Sequence, residues 1–191
     1  MPYYLKYLFS VLSHIPCTHW IVMGIISLFL TVSIFIRNKS SASVYGAIDF
    51  GATVFISLII FEMTVVTRYT GIMPHGYGFD FVTGFYRLFH GGEQGWREII
   101  TNIVVFVPFG FFLTGFMSSM RRLGIWSQIG YVALAAFVFS LCIESLQLIL
   151  NVGFFELTDL LMNTLGAIIG AGVSFFVRLK NQRREKKIGD D

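Results

Sequence analysis

The sequence predicts an all-α integral membrane protein, built as a bundle of about five transmembrane helices. Of its 191 residues, 55% are hydrophobic and 13% are charged, which is about half the charged fraction of a soluble domain. Five apolar runs approach the roughly 20 residues that a helix needs to cross the hydrocarbon core. These runs do not alternate between polar and apolar residues, so they do not resemble the strands of a membrane barrel.

Residues 1–19 precede the first apolar run. They contain no small-residue cleavage site after a short apolar core, so we expect this segment to stay on the protein rather than to leave as a signal peptide. Its tyrosine, phenylalanine and leucine side chains fit a helix lying at the level of the lipid headgroups. A short re-entrant element is the alternative.

The transmembrane domain is predicted to cover residues 20–177. Polar or charged residues close each apolar run, which gives spans at about 20–36, 46–67, 99–117, 128–150 and 157–177. A basic tail, residues 178–191, follows the last span. We expect the tail to lie at the cytoplasmic leaflet and to attract anionic membrane lipids.

The basic residues predict the orientation of the bundle, because short loops rich in Lys and Arg stay in the cytoplasm. Such residues follow spans one, three and five, namely Arg37 and Lys39, Arg121 and Arg122, and the series from Arg178 to Lys187. With five spans all three groups fall on one side, so the N-terminus lies outside and the C-terminus is cytoplasmic. Topology thereby explains the net charge of +3, and we expect no nucleic-acid partner.

Polar side chains within the last three spans collect toward the predicted outer side. Ionisable residues at membrane depth are costly and should face one another or a water-filled cleft. Spacings of three and four residues place Glu144 with Gln147, and Asp159 with Asn163, on shared helix faces. Glu144 and Asp159 are the candidate catalytic residues, whereas single amides can also act only as contacts between helices. The predicted functional cluster comprises Asn102, Glu144, Gln147, Glu156, Asp159, Asn163 and Arg97.

Small residues and a proline predict how the last spans pack. Gly166 and Gly170 form a face on which another helix can approach closely. Pro108, beside Gly110, removes a backbone hydrogen bond and should bend or locally open the third span. The spacing of Cys17 and Cys142 does not suggest metal binding, and the chain lacks the P-loop, HExxH and GxSxG motifs. We therefore expect no metal and no cofactor.

Two stretches resemble the signature segments of the VanZ-like membrane protein family. Residues 97–110 read REIITNIVVFVPFG and residues 144–170 read ESLQLILNVGFFELTDLLMNTLGAIIG. Both stretches lie in the last three spans, and the first two spans match by hydropathy only. The matching positions in the first stretch are Asn102, Phe106, Pro108 and Gly110. In the second stretch they are Glu144, Gln147, Glu156, Asp159, Asn163, Gly166 and Gly170.

The resemblance implies a bacterial membrane protein, and the founding family member is linked to low-level resistance to teicoplanin. It implies no defined reaction, so three classes of function stay open. The protein could alter the outer cell surface so that less teicoplanin-type lipoglycopeptide binds.

The second class is a membrane-embedded enzyme acting on a lipid-linked envelope precursor. Glu144 and Asp159 would then act as general acid and base, and Arg97 or Arg87 would bind a phosphate. The third class is a proton-coupled lipid transporter, which would need a homodimer because one chain contains no evident inverted repeat. The expected partners are membrane lipids and either the envelope precursor or the lipoglycopeptide.

Overall fold

The computed structural model describes residues 3–37, 41–69, 78–80, 86, 89–90, 92–120 and 124–189. The α-helices are α1 (Tyr3–His14), α2 (Cys17–Arg37), α3 (Ser41–Phe61), α4 (Thr67–Tyr69), α5 (Gly92–Met120), α6 (Ile125–Ile149) and α7 (Leu157–Gly189). A π-helical turn, Glu62–Val66, joins α3 to α4. Two short strands, β1 (Gly78–Asp80) and β2 (Phe154–Glu156), complete the described elements.

The structure confirms the helical membrane fold. Within the described ranges, five segments are long and apolar enough to cross a membrane: Cys17–Ile36, Val44–Tyr69, Gly95–Ser118, Ile125–Ile149 and Leu157–Asn181. Each of the five predicted runs falls on one of them. The orientation of the termini stays a prediction.

The first span begins earlier than its hydropathy indicates. The backbone N–H groups of His19 and Trp20 donate to the carbonyl of Pro16, at 2.9 and 3.4 Å, so α2 starts at Cys17 rather than at Trp20. Proline suits this place because a helix start needs no N–H donor there. The preceding α1 has 12 residues, which is too short to cross the hydrocarbon core. It packs against α5.

Helix α5 is the centre of the bundle and contacts α3, α6 and α7. Its Phe106 and Phe109 are buried and lie against Phe139 of α6, with ring centroids 5.9 and 5.6 Å away. Helix α2 packs on α3 at the edge of the bundle, and only 6% of its apolar window is buried. Most of the α2 surface is therefore left for lipid.

Glycines bring α5 and α7 into backbone contact. A Cβ atom on Gly166 or Gly170 would overlap the carbonyl oxygen of Ile103 or Val107, respectively. In the opposite direction, a Cβ on Gly110 would overlap the backbone of Ala167. The small-residue face of α7 is thus used within the chain and is not free to form a dimer. Helix α5 continues through Pro108 without interruption, and the predicted bend stays a prediction.

Polar pairs join the helices at the end of the bundle that contains the C-terminal part of α5. The guanidinium of Arg178 donates to Asp49 Oδ2 at 2.9 Å, and the pair lies over Gly115. Nearby on the chain, Ser118 Oγ donates to Gln128 Oε1 at 2.7 Å. Helix α7 has 33 residues and is about 50 Å long, so its basic C-terminal part extends past a hydrocarbon core of about 30 Å.

Candidate functional site at one end of the bundle

The polar residues of the last three spans meet at the end opposite the Arg178–Asp49 pair. This end is formed by the C-terminal ends of α4 and α6 and by the N-terminal ends of α5 and α7. Strands β1 and β2 pair in parallel there, with Phe79 opposite Phe155 and Asp80 opposite Glu156. The strand pair thereby links the segment preceding α5 to the segment preceding α7. We call the polar residues at this end the polar site, which comprises Asn102, Ser140, Glu144, Gln147, Glu156, Asp159 and Asn163.

Glu144 is the most deeply placed carboxylate of the polar site. It lies in the last two turns of α6 and is 2% exposed. The chain turns back after α6, so that the backbone N–H of Glu156 in β2 donates to Glu144 Oε2 at 3.0 Å. Asp159, Arg68 and Glu156 all interact electrostatically with Glu144. Asp159 and Glu156 are acidic like Glu144, whereas Arg68 is basic.

Asp159 lies near the start of α7, and Asn102 of α5 donates a hydrogen bond to it. Asn102 Nδ2 donates to Asp159 Oδ1 at 2.7 Å. Asp159 also lies in the first turn of its helix, where the partial positive charge of the helix N-terminus favours a carboxylate. Glu144 and Asp159 are therefore each held by a hydrogen bond from another part of the site. This arrangement places two oriented carboxylates close together.

A second polar layer lies one helical turn deeper. Ser140 precedes Glu144 by four residues on α6, and Asn163 follows Asp159 by four residues on α7. Asn163 Nδ2 donates to Ser140 Oγ at 2.8 Å, and both residues are buried. This hydrogen bond joins α6 to α7 and forms the base of the polar site.

Gln147 connects the polar site to the irregular end of the second span. Its Nε2 donates to the backbone carbonyl of Thr64 at 3.0 Å. Thr64 lies inside the π-helical turn, where the regular ladder of backbone hydrogen bonds is interrupted. In a membrane such interruptions persist only where another group satisfies the backbone. Gln147 supplies that group, so its amide forms a contact between helices, which is one of the roles the sequence left open for single amides.

The turn after α6 is closed by backbone hydrogen bonds. Val152 N donates to Gln147 O at 2.9 Å and Asn151 N donates to Leu148 O at 3.1 Å. Asn151 has a φ of 57°. This combination is the Schellman cap, which ends a helix with a residue in the left-handed conformation. Asn151 therefore terminates α6 and lies outside the polar site.

Of the predicted cluster, the structure brings Asn102, Asp159, Glu144 and Glu156 together directly. Gln147 and Asn163 border this group. Arg97 lies on α5 five residues before Asn102 and is half-buried. His75 and Arg87, which also lie between the second and third spans, fall outside the described residues.

Sequence reasoning missed Arg68 and His19. Arg68 lies at the end of the second span, and its Nη1 lies 2.7 Å from an ideal Cβ on Gly153, beside Gln147, which places the guanidinium at the polar site. The imidazole Nδ1 of His19 lies 2.6 Å from Glu62 Oε1, so Glu62 pairs with α2 and not with the other carboxylates. A signal for Arg68 was present, because an arginine at the same membrane depth as buried acids is a natural partner for them.

Within the described part of the chain, no group of three or more His, Cys, Asp and Glu residues is arranged to hold a metal ion. Cys17 and Cys142 are free and exposed.

Comparison with known proteins assigns the family. The VanZ/LLP1 family model matches residues 17–178. The chain belongs to the VanZ/LLP1 family. Protein VanZ of Enterococcus faecium is 32% identical over 74 residues, which is 39% of this chain and 42% of that protein. The chain thus matches less than half of the length of this curated relative. No solved structure matches the chain. The family and the five apolar helices identify a multi-pass bacterial membrane protein.

Proposed function

We propose that this VanZ/LLP1 family member confers low-level resistance to teicoplanin-type lipoglycopeptides by altering the outer cell surface so that less antibiotic binds. The observation that carries the proposal is the family match over residues 17–178. It includes every helix that contributes to the polar site. In the predicted orientation this site lies in the outer half of the membrane, where lipid-linked envelope precursors are exposed to such antibiotics.

Glu144 and Asp159 are the residues we assign to this function. Buried or half-buried acids inside a membrane are rare and functional by default. Here each acid accepts a hydrogen bond, at 3.0 Å from the Glu156 N–H and 2.7 Å from Asn102, and the two carboxylates interact with each other. A pair held in this way can recognise a polar group of a lipid or of an envelope precursor.

The test measures binding of fluorescent teicoplanin to intact bacteria. Cells carrying the vector, the wild type, Glu144→Gln or Asp159→Asn are compared, and membrane insertion is checked by immunoblot. We expect the wild type to lower binding and both variants to return it to the vector level. Asp49→Asn is the matched control, because it neutralises a carboxylate at the opposite end of the bundle. It should retain the wild-type effect. Reduced binding in both Glu144→Gln and Asp159→Asn would exclude the assigned residues.

A second candidate is a membrane-embedded enzyme acting on a lipid-linked envelope precursor. The favouring observation is the proximity of Glu144 and Asp159 in a poorly hydrated place, since two carboxylates in different environments can divide the roles of acid and base. Mass spectrometry of lipid extracts tests this function. A precursor species that changes with the wild type, but not with Glu144→Gln, would favour catalysis; identical extracts would exclude it.

The transporter alternative receives no such support. It requires a second copy of the chain, and the glycine face that suits a dimer is occupied by α5. We therefore do not propose it.

A further inference from the structure

The space beside Gly153 is occupied by the side chain of Arg68. An ideal Cβ on Gly153 would lie 2.7 Å from Nη1 of Arg68 and 3.1 Å from Oε1 of Gln147. Gly153 is buried and lies in the short turn between α6 and β2. The guanidinium of Arg68 thus lies across the turn where a side chain at position 153 would lie.

This contact places a positive charge beside an excess of negative charge. Glu144 is buried and has two acidic residues, Glu156 and Asp159, in its surroundings. Arg68 interacts with the same carboxylate favourably. Burying like charges together is costly unless an opposite charge and hydrogen bonds compensate. Arg68 supplies such a charge from the end of the second span, 76 residues before Glu144 in the chain.

The turn after α6 also links Arg68 to the Glu144 carboxylate through the backbone. Gly153 is followed directly by β2, and the backbone N–H of Glu156 in that strand donates to Glu144. A guanidinium resting on Gly153 therefore contacts the segment that orients the carboxylate. The π-helical turn before α4 supports the same arrangement, because Gln147, which also lies beside Gly153, donates to its Thr64 carbonyl.

We propose that Arg68, seated against Gly153, is a positioning residue of the polar site that holds the Glu144 carboxylate and the turn after α6 in one arrangement. A side chain at position 153 would push the guanidinium aside, so Gly153 leaves the room that Arg68 occupies. The inference rests on the proposed function for its biological meaning. Its physical content can be tested separately.

The first experiment is independent of antibiotic resistance. Melting temperatures of purified protein in detergent are measured for the wild type, Arg68→Ala, Glu144→Gln and the double variant. We expect Arg68→Ala to lower Tm by about 1 to 4 °C in the wild-type background, and by less than half of that when Glu144 is already neutral. Lys180→Ala, which removes an exposed cation from α7, should give additive losses with Glu144→Gln. Additive losses for Arg68→Ala as well would overturn the inference.

The second experiment moves the charge. Arg68→Ala should return fluorescent-teicoplanin binding to the vector level. Combining it with Gly153→Arg places a guanidinium on the turn itself, and we expect this variant to recover at least half of the wild-type reduction. Arg68→Lys should recover part of it, because lysine keeps the charge without the planar fork. Vector-level binding in both rescue variants would refute a positioning role.

The two experiments separate the inference from the proposed function. If the wild type does not lower teicoplanin binding, the proposed function fails, and the melting temperatures alone decide about Arg68. Non-additive melting temperatures in that case would still support the charge compensation.

Discussion

Replacing Gly170 with alanine tests the contact between α5 and α7. A methyl group at this position would overlap the Val107 carbonyl, and the backbone atoms it meets cannot rotate away as a side chain can. Forcing a methyl group into such a contact costs about 1–3 kcal/mol. Alanine also favours a helix over glycine by roughly 1 kcal/mol, which offsets part of the loss.

Gly172→Ala is the matched control, because no neighbouring helix in the described part of the chain comes within 4 Å of an ideal Cβ at that position. It lies two residues along the same helix and gains the same helix propensity. The difference between the two variants therefore isolates the packing cost. At roughly 2–4 °C for each kcal/mol in a chain of this size, Gly170→Ala should melt about 2–12 °C below Gly172→Ala.

The assay is thermal denaturation of the purified protein in detergent, followed by the loss of the monodisperse peak in size-exclusion chromatography. Both variants must first reach the membrane in equal amounts. Equal melting temperatures would mean that α5 and α7 are not in backbone contact at Gly170, and the account of the glycine face would be wrong.

Three further predictions concern other parts of the bundle. Asn163→Leu leaves the buried Ser140 hydroxyl without its donor and should destabilise the protein by about 1–3 kcal/mol. Melting temperatures measure this loss. The double variant Ser140→Ala with Asn163→Leu should lose less stability than Asn163→Leu alone. Reversing only Asp49 to Arg should lower expression in the membrane because it faces Arg178, whereas the double reversal with Arg178→Asp should restore it; no recovery would argue against the ion pair. A fluorescent protein fused at the C-terminus should fluoresce and an alkaline phosphatase fused there should be inactive, since the basic side is predicted to be cytoplasmic; the opposite pattern would invert the orientation.

Hydropathy was sufficient to predict the helical membrane fold because a chain in lipid must satisfy its backbone polar groups internally. An apolar run of sufficient length has few alternatives to a helix. The shared faces of Glu144 with Gln147 and of Asp159 with Asn163 followed from helical spacing alone. The sequence also indicated that the glycines of α7 form a contact face, although not that α5 would occupy it.

The partners of these faces could not be predicted, because hydropathy does not fix how one helix is rotated against its neighbour. The bonds from Asn102 to Asp159 and from Asn163 to Ser140 depend on that rotation. Strands of three residues that are separated in the chain by the whole of α5 and α6 also leave no periodic signal. For Arg68, its position at the depth of the buried acids was a signal, but its approach to Gly153 depends on the same packing.

The π-helical turn at Glu62–Val66 has a consequence for insertions and deletions. Such a turn contains one residue more than the α-helical turn it replaces. Because both kinds of turn complete one revolution, deleting a single residue within it would restore a regular helix and leave the residues that follow in nearly the same orientation. Arg68 would then still face Gly153. The deletion would instead restore the regular backbone ladder and remove the free Thr64 carbonyl that Gln147 binds, so the extra residue of this turn serves the contact between the second and fourth spans.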